Sequence, residues 1–373
     1  MTGALAAGFG WWAWAVAAPA ARTTAATGHE SPDAYYTRLR AEFARTGPAT
    51  AINTQVAAAR QARTIDDITT CPSLPPPGAV LTNSGFYFLS EILPAGIALD
   101  SPVCGHALAC FLGTIVAHQV DRNNPPSSYS ESTLIIDRQC VVNQTITIPN
   151  RFVLAGVGTE GRGVLAFDLP DNTTALRFAP STGSPERFTT IRDLNIVNVP
   201  QCCGQVGIDV SNSSLVTLER IRLHDFGFGL GGTTAFSILV DKSFIHNNGF
   251  NVMIGDGSTA WRVRDTVMNQ SGLISVVIGS TAIGNLISGG RIEKNPFAGV
   301  AVQGPQNAIE TSWFEGNGIG FGDHGIRVLA GAAQTRIFAN LFSSEDILDQ
   351  GTDTQICLNT DDNAFVDLNT CPH

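Results

Sequence analysis

The segments Leu218-Glu-Arg-Ile221-Arg-Leu223 and Val240-Asp-Lys-Ser243-Phe-Ile245 share a pattern: an apolar residue, two polar residues, an often small residue, any residue and a second apolar residue. Counted from a weaker copy at residue 191, successive copies start 27, 22, 23, 24, 22 and 28 residues apart. A period in the low twenties, made of short apolar strands and turns rich in glycine and asparagine, is typical of a stacked solenoid. The other copies are Val263-Arg-Asp-Thr266-Val-Met268, Ile287-Ser-Gly-Gly290-Arg-Ile292, Ile309-Glu-Thr-Ser312-Trp-Phe314 and Ile337-Phe-Ala-Asn340-Leu-Phe342, and the weaker one is Ile191-Arg-Asp-Leu194-Asn-Ile196.

Aligning the copies places one apolar residue of every coil in a single column. Parallel coils stack about 4.8 Å apart and bury their inner face, so this column is predicted to form the core. Three residues further on, each coil has a turn position with asparagine or serine, which we interpret as a structural turn ladder, because asparagine tolerates left-handed backbone. The core column is Leu223, Ile245, Met268, Ile292, Phe314 and Phe342, and the ladder is Asn248, Ser271, Asn295 and Asn317.

The region before the repeat contains further predicted strands, at Thr133-Leu-Ile-Ile-Asp, Ile146-Thr-Ile-Pro-Asn, Phe152-Val-Leu-Ala-Gly and Gly161-Arg-Gly-Val-Leu-Ala-Phe. With the repeats, this stretch resembles the right-handed parallel β-helix proteins of the pectate-lyase-like (pectin lyase-like) superfamily over residues 132–349. The resemblance implies an all-β, single-stranded parallel β-helix. It is specific for the fold and unspecific for the reaction.

Composition and the absence of known motifs restrict the classes of partner and cofactor that we expect. The formal net charge is −10 and the pI about 5.1, which argues against a nucleic-acid partner, because such proteins need a basic face. No zinc pattern, Walker loop or G-x-S-x-G elbow is present, so we expect no metal or other cofactor. Asn359-Thr-Asp361-Asp362 superficially resembles the carboxylate motif of polygalacturonases, but no Gly-His-Gly or Arg-Ile-Lys follows it.

The termini are predicted to differ from the solenoid. Residues 1–27 are apolar and uncharged up to residue 21 and resemble a signal peptide, with a membrane anchor or a misassigned start as alternatives. Residues 28–70 are predicted to form a helical N-terminal cap, residues 71–350 the β-helix and residues 351–373 a tail or cap. The protein is therefore expected to be secreted or periplasmic, with membrane contact only if the leader is uncleaved.

Eight cysteines fit an oxidising compartment. Cys104 with Cys110 and Cys357 with Cys371 are interpreted as local disulfides, although eight cysteines allow many pairings. The apolar stretch from Cys104 to Val120 is predicted to be strand, as are segments beginning at Gly85 and Gly96.

The positions on either side of the core column are predicted to share one face, because side chains two apart on a strand point the same way. In this face Glu293 and Glu315 fall on successive coils, and two carboxylates about 5 Å apart suit a retaining glycosidase. Proximity would also raise the pKa of one of them. His246 and Asn269 continue the column, and Arg291 and Trp313 flank it, with Trp313 as a platform for a sugar ring. The alternative is a solvated face with Glu293 paired to a nearby Arg or to Lys294.

A second candidate is Asp323-His324, in the insertion that lengthens the spacing before Ile337, where a histidine beside an aspartate could act as general base. The preferred function is an enzyme that cleaves a polysaccharide, by glycoside hydrolysis or as a lyase. A lyase would need Arg291, Arg264 or a metal to neutralise the substrate carboxylate, and His246 or His324 as base. The non-catalytic alternative is a carbohydrate-binding or adhesin-like β-helix. The oligomeric state is left open.

Overall fold

The computed structural model describes residues 86–92, 102–120, 132–157, 163–179, 188–199, 205–319 and 322–361. The predicted signal peptide at 1–27, the predicted helical segment at 28–70, the strand expected from Gly96 and the partner expected for Cys357 lie outside these residues.

The described elements are two helices and thirty short strands. The helices are α1 (Leu89–Ile92) and α2 (Pro102–Val120). The first fifteen strands are β1 (Phe86–Phe88), β2 (Ser132–Ile136), β3 (Gln139–Val142), β4 (Ile146–Ile148), β5 (Phe152–Gly156), β6 (Val164–Phe167), β7 (Thr174–Phe178), β8 (Thr189–Arg192), β9 (Asn195–Asn198), β10 (Val206–Asp209), β11 (Ser214–Glu219), β12 (Arg222–His224), β13 (Phe228–Gly232), β14 (Phe236–Asp241) and β15 (Phe244–His246). The others are β16 (Phe250–Ile254), β17 (Arg262–Arg264), β18 (Val267–Asn269), β19 (Ile274–Ile278), β20 (Leu286–Ser288), β21 (Arg291–Glu293), β22 (Ala298–Val302), β23 (Ala308–Glu310), β24 (Trp313–Glu315), β25 (His324–Val328), β26 (Arg336–Phe338), β27 (Leu341–Ser343), β28 (Asp346–Asp349), β29 (Gln355–Cys357) and β30 (Thr360–Asp361).

These strands form three parallel sheets, because each coil of the chain adds one strand to each sheet in turn. Sheet 1 runs β1-β2-β5-β8-β11-β14-β17-β20-β23-β26-β29, sheet 2 runs β3-β6-β9-β12-β15-β18-β21-β24-β27-β30, and sheet 3 runs β4-β7-β10-β13-β16-β19-β22-β25-β28. The predicted parallel β-helix is therefore confirmed.

The predicted core column is also confirmed. Its residues pair in register along sheet 2. Each is fully buried, and the rings of Phe314 and Phe342 stack with centroids 4.9 Å apart. Identical positions of successive coils meet directly, so one apolar position per repeat is enough to build a continuous core.

The turn ladder binds one coil to the next. The backbone N–H of Ser271 donates to Asn295 Oδ1 at 2.9 Å, and that of Asn295 donates to Asn317 Oδ1 at 3.3 Å. The ladder continues one coil beyond the predicted set, to Glu345, whose Oε1 accepts the N–H of Asn317 at 2.6 Å. Burial raises the pKa of Glu345 to about 7.

The stretch from Cys104 to Val120 is helix α2, so the prediction of a strand there was wrong. A continuous apolar run does not reveal its period, whereas the buried residues follow helical spacing: Cys104, Leu108, Phe111, Leu112 and Ile115. Helix α2 packs on β3 and β4, the first strands of sheets 2 and 3, and so covers exposed strand edges. Within the described residues, no helix is long and apolar enough to cross a membrane.

The predicted disulfide between Cys104 and Cys110 was wrong, because Cys104 bonds to Cys140 in β3, with the two Cα atoms 5.6 Å apart. Residues six apart in a helix rise about 9 Å along its axis, beyond the reach of a disulfide. The observed bond ties helix α2 to the first coil.

The pairing of strands extends past residue 350, where a tail was predicted. β29 pairs with β26 and β30 pairs with β27, both parallel. They continue the repeat only in part: Ile356 and Asn359 take the positions of Ile337 and Asn340, but Asp361 stands where the second apolar residue belongs. This change explains why the pattern did not indicate them.

Candidate functional site

The outer face of sheet 2 carries two columns of side chains in register. We call the one that follows the core position the polar column and the one that precedes it the outer column. Strand pairing confirms that each is continuous from β12 to β27. The polar column is His224, His246, Asn269, Glu293, Glu315 and Ser343, and the outer column is Arg222, Phe244, Val267, Arg291, Trp313 and Leu341.

The predicted carboxylates, Glu293 and Glu315, are neighbours on β21 and β24. Glu293 is buried, with 6% of its surface exposed, whereas the Glu315 side chain is 41% exposed. Arg291 contacts both: its Nε forms an ion pair with Glu293 Oε1, and its Nη2 lies 3.4 Å from Glu315 Oε2. The guanidinium also lies over the Trp313 ring, 5.3 Å from the centroid. The four predicted residues therefore form one cluster.

The pKa of Glu293 is raised above its ordinary value. Burial is the largest cause, followed by the hydrogen bond with Glu315, while Arg291 acts in the opposite direction. A carboxyl group of this kind keeps its proton at a pH where an exposed carboxylate has lost it. Burial and Glu315 therefore favour the protonated form of Glu293.

The carboxyl groups of Glu293 and Glu315 are hydrogen-bonded to each other. Their hydrogen bond places them within the roughly 5 Å that separates the carboxyls of a retaining glycosidase. A hydrogen bond between two carboxyl groups requires that one of them carries a proton. The sequence alternative was a solvated face in which Glu293 pairs with a nearby Arg or with Lys294. The pairing with an arginine is present, to Arg291, but Glu293 is buried.

His246 lies in the same column but is not poised to take a proton. Its Nε2 accepts a hydrogen bond from Arg222 Nε at 3.1 Å, and its ring stacks on that of His224 at 4.7 Å. Burial lowers the pKa of His246 to about 2, and the charges of His224 and Arg222 act in the same direction. His246 is therefore neutral, with its Nε2 lone pair occupied.

Three other predicted residues lie away from the pair. Arg264 belongs to sheet 1, where its Nε lies 2.6 Å from Asp241 Oδ1. His324 begins β25 of sheet 3, and its Nδ1 contacts Asp346 on the next coil rather than its sequence neighbour Asp323. Asp323 lies in the turn before β25 with a positive φ of 52°. Across the described ranges, no three His, Cys, Asp or Glu side chains group as metal ligands.

Sequence reasoning missed three polar partners of histidines, one for His324 and two for His224. Asp346 follows His324 by 22 residues, one coil length, so extending the repeat into sheet 3 would have revealed the pair. His224 is held by Asp225, at 2.6 Å from its Nδ1, and by Asn195, at 3.1 Å from its Nε2. The contact with Asp225 joins sequence neighbours, whereas Asn195 lies 29 residues away. The repeat pattern indicates neither contact.

The three sheets and this face define a parallel β-helix with a continuous column of polar side chains along one sheet. No protein-family model and no curated protein matches the chain. Among solved structures, DFA-IIIase from Arthrobacter chlorophenolicus A6 is similar, with 14% identity and a TM-score of 0.59 over 75% of this chain and 84% of that one.

Two further solved structures are similar as well. ORF18 of Geobacillus virus E2 has 13% identity and a TM-score of 0.56 over 74% of this chain. The Dettilon tailspike protein gp208 has 11% identity and a TM-score of 0.52 over 74%. The chain spans 60% and 62% of these two proteins. At such identities the likeness shows the fold alone.

Proposed function

We propose that this protein is a carbohydrate-active β-helix enzyme that hydrolyses a glycosidic bond at Glu293 and Glu315. The observation that carries the proposal is the pairing of a buried carboxyl group of raised pKa with an exposed carboxylate, beside an exposed tryptophan. The similar DFA-IIIase structures, solved in complex with GF2 and with DFA-III, support a carbohydrate as the ligand. Secretion fits a glycan substrate and stays a prediction.

In the proposed reaction, Glu293 donates its proton to the glycosidic oxygen as the bond to the sugar carbon breaks. Glu315, as a carboxylate, stabilises the positive charge that develops on the sugar ring. Water then adds to that carbon, and its proton returns to the carboxyl pair. Arg291 holds Glu315 in place, and Trp313, 41% exposed, offers a surface on which a sugar ring can pack.

The arginines favour hydrolysis over a lyase reaction. A lyase needs a cation for the substrate carboxylate, but Arg291 is paired with Glu293 and Glu315, and Arg264 is paired with Asp241. The histidine suggested as its base, His246, has its Nε2 occupied by Arg222.

The test is the hydrolysis of a panel of neutral and acidic glycans by the wild type, E293Q and E315Q. Loss of proton transfer or charge stabilisation is expected to lower kcat by roughly 10²- to 10⁴-fold in either variant. E310Q is the matched control, because Glu310 pairs with Arg336 on sheet 1, away from the pair. Hydrolysis that survives both changes would rule out the pair.

Glycan binding without catalysis is the second candidate. Arg291 pairs with both carboxyl groups and Glu293 is nearly inaccessible, an arrangement that also suits a cluster that only orients Trp313. Wild-type protein that binds a glycan in calorimetry and releases no reducing ends or unsaturated products over long incubation would establish this reading.

A further inference from the structure

Asn269 occupies the polar column between His246 and Glu293, with both neighbours in register. Successive positions in such a column lie about 4.8 Å apart. Its backbone is held firmly, because its carbonyl oxygen accepts hydrogen bonds from Asn251 Nδ2 at 3.1 Å and from the Asn247 N–H at 3.3 Å. The side chain therefore has a fixed origin next to Glu293.

The side-chain Oδ1 of Asn269 is buried and accepts no hydrogen bond. A buried acceptor without a donor costs roughly 1–3 kcal/mol, so native proteins rarely leave one. His246 does not supply the donor, because its ring is engaged with Arg222 and Asn247. The donor that the column places on the other side is the carboxyl group of Glu293, provided that it carries a proton.

We propose that Asn269 is a positioning residue whose Oδ1 accepts the O–H of the acid form of Glu293. This contact takes the O–H that would otherwise bond to Glu315, keeps the proton on Glu293 and leaves Glu315 as the carboxylate that faces the substrate and Arg291. Asn269 thus determines which member of the pair is the acid. Its role in catalysis rests on the proposed function, whereas the contact itself does not.

The opposite orientation of the amide makes a distinct alternative. If the Asn269 amide were reversed, Nδ2 would donate to Glu293 and stabilise the ionised form instead. The two arrangements act on the pKa of Glu293 with opposite sign. Titration of this one carboxyl group therefore separates them without any substrate.

The experiment is a carboxyl-carbon NMR titration of protein labelled at glutamate, with the Glu293 signal assigned by its loss in E293Q. We expect N269L to lower the pKa of Glu293 by about half a unit to one unit, because a neutral hydrogen bond contributes about 0.5–1.5 kcal/mol. N269A serves as a second variant if leucine does not fit. Q270A, which changes an exposed side chain in the adjoining turn, is the control and should leave the titration unchanged.

A pKa that stays the same or rises in the folded N269L or N269A variant overturns the proposal. The result is independent of turnover. If N269L lowers the pKa of Glu293 but the wild type cleaves no glycan, the contact with Asn269 stands and the proposed enzymatic function is wrong. If the pKa is unchanged but the wild type cleaves a glycan, the function stands and the contact is wrong.

Discussion

Two side chains of the polar column, His246 and Glu293, have pKa values shifted in opposite directions, and both shifts favour the uncharged form. Burial is the largest cause for each, because it penalises an imidazolium and a carboxylate alike. Their partners on the outer column, the half-buried Arg222 and the exposed Arg291, carry positive charge on this face. The same burial therefore favours the protonated form of Glu293 and the neutral form of His246.

For His246 this environment predicts acid sensitivity. Its folded pKa, about 2, lies below the unfolded value of about 6.5, so its contribution to stability is present above pH 6.5 and is lost as the pH falls. At pH 5 the loss is on the order of 2 kcal/mol. We expect H246N, which introduces the residue found one coil further on, to lose less stability than the wild type between pH 7.5 and pH 5 in urea unfolding. Equal losses in the two proteins would contradict this prediction.

At the scale of elements, the turn ladder between sheets 2 and 3 has a carboxyl group instead of an amide at its last described position. Asparagine gives way to Glu345, which accepts from the N–H and Nδ2 of Asn317 and from the N–H of Ser343. These bonds lower the pKa of the carboxyl group, but burial outweighs them and Glu315 adds like charge. The ladder therefore ends in a group that resists ionisation.

Glu345 should make the solenoid less stable as the pH rises. Its folded pKa, about 7, exceeds the unfolded value of about 4.5, so its contribution is fully present below pH 4.5 and is lost as the pH rises through 7. Glutamine cannot ionise, and E345Q loses only the acceptor for Ser343. We expect the Tm advantage of the wild type over E345Q to shrink from pH 4.5 to pH 8. An advantage that grows over this range would show that Glu345 folds as a carboxylate.

At the scale of the whole molecule, the sequence indicated the fold because every coil repeats the same physical requirement. An apolar residue must stack on its counterpart, as Ile292 does between Met268 and Phe314, and this leaves a visible period. Helix α2 escaped prediction because it is a single element with no counterpart in another coil, and its apolar run suits helix and strand equally.

The sequence predicts which residues of the candidate site are neighbours, because the aligned repeats give the register of the strands. Aligned repeats placed Glu293 and Glu315 side by side with Arg291 and Trp313, and the structure agrees. The register does not determine side-chain rotamers. The repeat therefore did not predict the hydrogen bond between Glu293 and Glu315, nor the one that Arg222 donates to His246. Contacts within sheet 3, such as that of His324 with Asp346, require the strands of sheet 3 to be aligned separately.

The central claim is that the face of sheet 2 around Trp313 is the carbohydrate site, and binding of a glycan to W313A tests it most directly. The ligand is the glycan from the panel that binds the wild type most tightly in calorimetry. Trp313 is exposed on a three-residue strand and its loss leaves the core intact, so W313A should fold normally. We expect its affinity to fall by at least 10-fold, as the removal of an aromatic contact surface implies. Wild-type affinity in folded W313A would place the carbohydrate site elsewhere on the molecule.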